Sequence, residues 1–440
     1  MNLRSHPYES YKPSNSEWVH QIPSEWQEQR VKDIFRLVTD KALIDNDHEL
    51  LSLYASIGVK PRKDLEARGN KASSTDGYWI VKKGDIIVNK LLAWMGSVGL
   101  SEYDGVTSPA YDVLRKTSKL VDVRYFSYLF RTEIAKQIFK RNSRGIMDMR
   151  LRLYFDKLGA ITVPVPPFST QRAIATYIDT KTAQIDRKID LLGQKATQYS
   201  KLKQSLINET ITRGLDNFIP MKDSRVEWIG EIPAHWEVKR FLDVANLYNG
   251  NSLNDDLKEK FSNNLVPCLP YIGTKDIDIS TYRANIENGI YIPNSITGYK
   301  CAPVNSTLLC IEGASAGKKM TFIPQKVYFV NKLLCIAINS KNNPLYIHYF
   351  VRSSQFSSKF NTCLTGLKDN YWGVTGQQIR RFFVLIPPIE EQNKIAEYLD
   401  KRNSQIDHIV TTINTQIDKL KELRKALIND VVTGKIRVIN

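Results

Sequence analysis

The residues able to do chemistry in this chain are basic, and they cluster. Lys60-Pro61-Arg62-Lys63 follows Tyr54 and Gly58 in a proline-marked loop. Lys90 lies in Asn89-Lys90-Leu91-Leu92-Ala93-Trp94-Met95-Gly96, beside an aromatic residue and a glycine. From Arg131 to Arg152 there are seven basic residues and two acids, with Arg141, Arg144, Arg150 and Arg152 in the second half of the run. Later in the chain come Gly273-Thr274-Lys275, then Ser315 with Lys318 and Lys319, then Leu367-Lys368-Asp369-Asn370-Tyr371-Trp372. Lysine neutralises a phosphate as a point charge, and the planar arginine fork matches guanine O6 and N7. Asn370 carries the donor and acceptor that the major-groove edge of adenine requires. Taken singly, each is an ordinary surface charge. Their recurrence at corresponding loops of two halves singles out the loops.

Residue sets for catalysis are not found in the sequence. It has no Asn-Pro-Pro-aromatic tetrapeptide of the kind that holds a flipped adenine; the Pro-Pro pairs stand in Val165-Pro166-Pro167-Phe168 and Ile386-Pro387-Pro388-Ile389. No G-x-G-x-x-G follows a strand pattern, so no dinucleotide or S-adenosylmethionine pocket is indicated. The segment 313–319 resembles a phosphate loop but is one residue short between its glycines, and Lys319 stands where a magnesium-binding hydroxyl belongs. The six histidines are scattered. The five cysteines all fall in the second half without C-x-x-C spacing, which suits reduced thiols and excludes a zinc knuckle. No signal peptide opens the chain and no apolar run approaches the length of a membrane span. A cytoplasmic location without a membrane partner is expected.

The elements that position the basic loops are written twice. Lys12, Glu17-Trp18, Ile22-Pro23, Trp26, Arg30 and Asp33 return 210 residues later as Lys222, Glu227-Trp228, Ile232-Pro233, Trp236, Arg240 and Asp243. Beyond them the match resumes at an offset of 221: Gly96 with Gly317, Tyr128 with Tyr349, Arg131 with Arg352, Gln171 with Gln392, Asp179 with Asp400. The second copy is thus 11 residues longer between these blocks. The chain has 440 residues and a net charge of +16. Residues 1–216 carry 34 Lys/Arg against 25 Asp/Glu, and residues 217–440 carry 28 against 21, so both copies are basic. An internal dyad with a positive surface suits a duplex with a near dyad of its own.

Each copy begins with a mixed section. Strands are expected at Ile80-Val81 and Ile86-Ile87-Val88, and at 307–311 and 327–330. Amphipathic helices are expected over 125–141 and 346–360, and a strand then runs into the Pro-Pro pair. A long helix follows, over 171–212 and over 392–431. Its apolar stripe steps by three and four residues through Ile174, Ile178, Ile185, Ile189, Leu192, Ala196, Tyr199, Leu202 and Leu206. The second stripe runs from Ile395 and Leu399 to Leu423 and Leu427. The expected fold is α+β: two similar globular domains related by a pseudo-two-fold axis and separated by two long helices packed as an antiparallel coiled coil. Its parts are a first domain over 1–170, a spacer helix over 171–213, a linker over 214–221, a second domain over 222–391, a second spacer helix over 392–431 and a tail over 432–440. The four tryptophans Trp18, Trp26, Trp228 and Trp236 flank an Ile-Pro turn and are expected to pack there against the helix ends.

These residues resemble the specificity subunit of type I restriction–modification systems. The resemblance is carried by Glu-Trp-Ile-Gly-Glu-Ile-Pro-Ala-His-Trp-Glu at 227–237 and its weaker copy at 17–28. Gly366 with the Pro-Pro-Ile-Glu-Glu-Gln of 387–392 and its copy at 145–171 add to it. So do the helix-end motif Leu427-Ile428-Asn429-Asp430 with Thr433-Gly434-Lys435, and its copy at 206–214. The first copy departs slightly, lacking the acid before Gln171 and reading Thr212-Arg213-Gly214 in place of Thr-Gly-Lys. The resemblance implies a non-catalytic DNA-binding subunit with two target-recognition domains, each reading half of an asymmetric bipartite target in double-stranded DNA. It further implies docking of two modification (methyltransferase) subunits and two restriction (translocase/nuclease) subunits. S-adenosylmethionine, ATP and magnesium would sit on those partners, with no cofactor or metal on this chain. For the bare residues two other readings remain: a stand-alone DNA-modifying enzyme, and a coiled-coil adaptor that does not bind DNA.

Overall fold

A computed structural model describes residues 7–54, 57–64, 75–145, 150–216, 218–262, 268–294, 296–367 and 371–438. The chain forms two compact units, one of residues 1–192 with 415–440, the other of residues 193–414. In the first unit a four-stranded antiparallel sheet runs in the order Phe35–Val38, Tyr111–Lys116, Ile86–Asn89, Val98–Leu100. In the second the same order is built from Ala245–Asn249, Leu333–Ile338, Ser306–Cys310 and Met320–Ile323. The uninterrupted apolar runs in these strands follow from burial on both faces. Ile86 and Val88 face the helix-side core with Phe35 and Phe126, while Ile87 lies in a separate core with Val38, Leu51 and Val113. Leu309 and Leu308 divide the same way in the second unit. Side chains alternate along a strand, so consecutive apolar residues are needed only where both faces are covered.

The additional 11 residues of the second copy lie in a part of the fold that differs. There Cys268–Ile272 joins Tyr291–Pro293, Val327–Phe329 and Cys301–Ala302 in a second four-stranded sheet, and a helix spans Asp255–Lys260. In the first unit the described strands of this region form two antiparallel pairs, Leu51–Tyr54 with Gly58–Pro61 and Trp79–Val81 with Gly105–Thr107. The helices expected over 125–141 and 346–360 are each broken in two. Val123–Leu129 gives way to Glu133–Asn142, and Pro344–Val351 to Ser354–Thr362. The cause is a capping hydroxyl on an extended residue: Thr132 accepts from Ala135 N, and Ser353 from Phe356 N, so each starts a new helix.

The long helices span Phe168–Arg213 and Ile389–Val432, beginning three residues before the expected glutamines. Gln171 and Gln392 are buried just inside the first turn. Each side-chain amide donates to a proline carbonyl, Pro166 O at 2.9 Å or Pro387 O at 2.8 Å. Each side-chain oxygen accepts from a helix N-cap, Asp122 N of Val123–Leu129 or Asn343 N of Pro344–Val351, both at 2.9 Å. In both units the helices run antiparallel. In the first unit Tyr125 Oη donates to Pro164 O, just before the first helix, and to Val432 O at the end of the second, while Asp186 pairs with Arg424 at 3.2 Å. In the second unit Gly214 adjoins Glu391, while Lys203 pairs with Asp407 at 2.6 Å. Two members of the expected stripes, Leu202 and Leu423, are exposed, and Ile207 and Ile211 are buried instead, because there the helix turns its face into the core around Trp236. Trp26 and Trp236 are fully buried, and glycines of positive φ sit on their rings at the helix ends, Gly434 on Trp26 and Gly214 on Trp236. A β-carbon there would meet Trp26 at 3.1 Å and Trp236 at 3.3 Å.

Two buried polar groups yield tests. Arg115 donates to both carboxylate oxygens of buried Asp85, at 2.9 and 2.6 Å. Arg115→Ala would strand that charge and should cost about 3 kcal/mol in urea unfolding. His348, on Pro344–Val351, is buried with Nδ1 3.1 Å from Thr307 Oγ1, and burial, then the Arg352 charge, hold its pKa well below 6.5. The unfolded chain therefore binds a proton near pH 6.5 that the folded chain refuses. Stability contributed by neutral His348 is complete above pH 6.5 and falls by up to about 1.4 kcal/mol per pH unit below it. His348→Ser, the residue the first repeat has at this position (Ser127), should remove that component from the pH dependence of unfolding.

Candidate nucleic-acid interface

Each unit presents the same backbone frame beside its sheet. After the strand Ile86–Asn89 the chain makes a loop ending in Gly96, whose φ of +87° is one that side chains disfavour. The counterpart loop after Ser306–Cys310 ends in Gly317, at φ +72°. A β-carbon on Gly96 would lie 2.7 Å from Lys136 Cε, and one on Gly317 would lie 2.6 Å from the Phe360 ring, so the loops press against Glu133–Asn142 and Ser354–Thr362. A second segment is hydrogen-bonded alongside. Leu153 N donates to Lys90 O at 2.9 Å, and Val374 N donates to Ile311 O at 3.0 Å, the same bond at the repeat offset. That segment is a hairpin in each unit, closed by the Arg144–Arg152 bridge in the first and by Thr365–Leu367 against Tyr371–Gly373 in the second.

On this frame the basic residues fall into three states. Exposed ones are held by exposed partners or by none that anchors them: Arg141 pairs with Glu17 at 2.9 Å and Arg144 with Asp156 at 2.8 Å, and Arg150 and Lys275 are exposed. Such surface pairs contribute at most about 1 kcal/mol, so a phosphate can displace the carboxylate. Others are tethered to backbone. Arg152 donates to Leu151 O at 3.0 Å, Lys318 to Ala314 O at 3.3 Å, and Lys319 to Thr274 O at 2.9 Å. The Lys319 bond joins the 313–319 loop to the turn carrying Lys275, while Ser315 O accepts from the amides of Lys318 and Lys319. Lys90 is the inward case: its ammonium donates to Pro109 O at 2.7 Å and lies 3.4 Å from Asp112. Burial raises the Asp112 pKa, and the Lys90 charge opposes that rise.

Lys60, Arg62 and Lys63 sit on another part of the first unit. Lys60 donates to Tyr103 Oη at 3.2 Å from the strand Gly58–Pro61, and Lys63 pairs with Glu49. Arg62 is half-buried on the short helix Arg62–Asp64. Lys368 and Asn370, with Asp369 and its repeat counterpart Asp148, lie outside the described residues, as does the side chain of Tyr371. The structure therefore gathers Arg144, Arg150 and Arg152 with the Lys90 loop in the first unit, and Lys275, Ser315, Lys318 and Lys319 beside the Tyr371 strand in the second. A reading by charge passed over the apolar side chains exposed on the same frame. Trp372, whose carbonyl accepts from Gly313 N, is 58% exposed, and Met95 is 52% exposed. Their signal was an aromatic or sulfur residue beside glycine and lysine. Among the described residues no group of His, Cys, Asp and Glu could hold a metal ion, and no helix is long and apolar enough to cross a membrane.

Comparison with known proteins agrees with this architecture. A curated relative from Methanocaldococcus jannaschii, the type I restriction enzyme MjaVIII specificity subunit, is 22% identical over 445 residues and covers 98% of each chain. A chain from a structure concerned with complex assembly and conformational transition of the type I R-M system superposes with a TM-score of 0.71 at 14% identity, covering 94% of this chain and 99% of that one. The HsdS subunit from Thermoanaerobacter tengcongensis gives a TM-score of 0.55 at 15% identity, covering 94% and 98%. At these identities the solved structures speak for the fold. The family model for the type I restriction modification DNA specificity domain matches twice, over residues 23–196 and 233–419. With two such matches covering most of its length, each on one copy of the repeat, the chain belongs to the type I restriction modification DNA specificity family.

Proposed function

We propose that this chain is the recognition subunit of a type I restriction–modification complex, and that each unit reads one half of a bipartite, asymmetric duplex target. The observation that carries the reading is the duplicated frame with unlike side chains. The bond from Leu153 N to Lys90 O recurs as that from Val374 N to Ile311 O, yet Arg144, Arg150 and Arg152 of the first hairpin stand where the second has Thr365, Tyr371 and Gly373, and Lys318 and Lys319 stand where the first copy has Ser97 and Val98. One scaffold in two chemistries supports two different half-sites. In this proposal DNA is met by Lys60, Arg62, Lys63, Lys90, Arg141, Arg144, Arg150 and Arg152 in one half, and by Lys275, Ser315, Lys318, Lys319, Lys368, Asn370 and Tyr371 in the other. Residues 1–170 and 222–391 act as the recognition segments and 171–213 and 392–431 as the helices between them, with 214–221 as a linker and 432–440 as a tail. Two modification and two restriction subunits assemble on the chain, and S-adenosylmethionine, ATP and magnesium are bound by those partners.

Two measurements test this. The purified chain alone should transfer no methyl group to DNA, and with its modification subunit should direct adenine methylation to one bipartite sequence; methyl transfer by the partner-free chain would sink the proposal. Replacing Arg141, Arg144, Arg150 and Arg152 by alanine should weaken duplex binding and reduce the slope of log affinity against log salt by about 0.9 for each phosphate no longer neutralised. Replacing Lys318, Lys319 and Lys368 should act likewise through the second unit. Folded variants whose affinity and salt slope both match the unaltered chain would show that other loops meet the DNA.

A further inference from the structure

The loop that starts at Lys90 is fastened differently from its counterpart in the second unit. The sheet pairs Asp112 with Val88 in the first unit and Leu334 with Leu309 in the second. Val88 and Leu309 are repeat equivalents, as are Lys90 and Ile311. Lys90 and Asp112 therefore stand where the second unit has Ile311 and Leu334. Ile311 and Leu334 are buried together in one apolar core. Lys90 and Asp112 instead lie 3.4 Å apart as an ion pair, with 19% and 8% of their side chains exposed. An apolar contact and a largely buried ion pair thus occupy one place on the same scaffold.

The backbone shows what the pair does. Ile311 N donates to Lys332 O at 3.0 Å, whereas the corresponding bond from Lys90 N to Ala110 O is stretched to 3.4 Å. Amide bonds weaken beyond about 3.2 Å. The Lys90 side chain supplies the missing hold: its ammonium donates to Pro109 O at 2.7 Å and faces Asp112. Asp112 Oδ2 is buried without a hydrogen bond among the described residues. A buried carboxylate with an incomplete set of partners contributes little to stability. Its position serves something else. The carbonyl of Lys90 accepts from Leu153 N at 2.9 Å, the bond that fastens the hairpin of Arg144, Arg150 and Arg152 to the loop. Whatever holds Lys90 also holds the arginine hairpin.

We propose that Asp112 is a positioning residue for the first half-site: through Lys90 it sets the loop and the arginine hairpin bonded to it, as the packing of Ile311 and Leu334 sets the loop of the second unit. The inference rests on the proposed reading of one half-site by each unit. The test uses the chain bound to its modification subunit, with the duplex whose methylation the two direct and copies of that duplex altered in one half-site or the other. Asp112→Leu, the residue of the second unit, and Asp112→Ala should each lower the preference for one correct half-site at least about tenfold by fluorescence anisotropy. Preference at the other half-site and the melting temperature should stay as they are. Removing an acid near a polyanion would by itself tighten binding, so the two effects have opposite signs. Lys90→Ile added to Asp112→Leu should cost less than Lys90→Ile alone, because the two residues act as a unit. Unchanged or tighter binding with full preference in both Asp112 variants overturns the proposal. So do equal losses at both half-sites, additive losses in the double variant, or failure of both Asp112 variants to fold, which would make Asp112 a residue of stability alone. If the unaltered complex methylates no bipartite target, the reading proposed above fails, which is a different result from any of these.

Discussion

Leu427, Val431 and Val432, at the far end of the chain, are buried in one core with Trp26, Tyr125, Ile174 and Ile178. Everything else in the first unit depends on this burial. The helix end lies under the N-terminal hairpin, and the Tyr125 hydroxyl bonds its last carbonyl. Gly434 must then be a glycine, because its backbone turns left-handed against Pro23 and Trp26. The second unit meets the same constraint with Ile207, Ile211 and Gly214 on Trp236. Each unit is therefore completed by a helix end remote in sequence from most of its core. Fully burying a large aliphatic side chain is worth about 1.5–3 kcal/mol, so a few such residues amount to much of the margin by which a domain is stable. Unfolding of a recognition unit is coupled in this way to the helix that enters it.

On that base the sheet acts as a rigid plate with both faces covered. The loops that lead from Lys90 and up to Lys318 spring from one of its central strands and are pinned by glycine against the helix Glu133–Asn142 or Ser354–Thr362. A backbone bond to a neighbouring hairpin fixes the loop without using side chains. Side chains on the loop and hairpin are consequently free to vary, as they do between the two copies. Rigid scaffolding beneath variable polar loops is the physical condition for reading a sequence, since a loose reader loses discrimination as well as affinity. The exposed Arg144–Asp156 pair sits on the hairpin, whereas the Asp85–Arg115 pair, with Asp85 buried, sits at the other end of the strand that leads into the loop. The first kind can exchange partners at little cost, and the second cannot.

Much of this was legible in the residues alone. Two copies at offsets of 210 and 221, long proline-free stripes and basic loops determine a duplicated α+β chain with two long helices, because periodicity and repetition are local properties that each segment carries with it. The role of tryptophan beside the Ile-Pro turn could also be read, since it follows from the shape of the motif. Tertiary structure decided the rest. A periodic pattern continues through 125–141, yet one hydroxyl at Thr132 breaks it. Leu202 belongs to the apolar stripe by spacing, but the core around Trp236 takes Ile207 and Ile211 and leaves Leu202 in solvent. Lys90 and Lys318 are the same kind of residue in corresponding loops. One turns inward because Asp112 and Pro109 O await it, and the other faces water. Where a long charged side chain points is set by partners tens of residues away, and no local pattern encodes that.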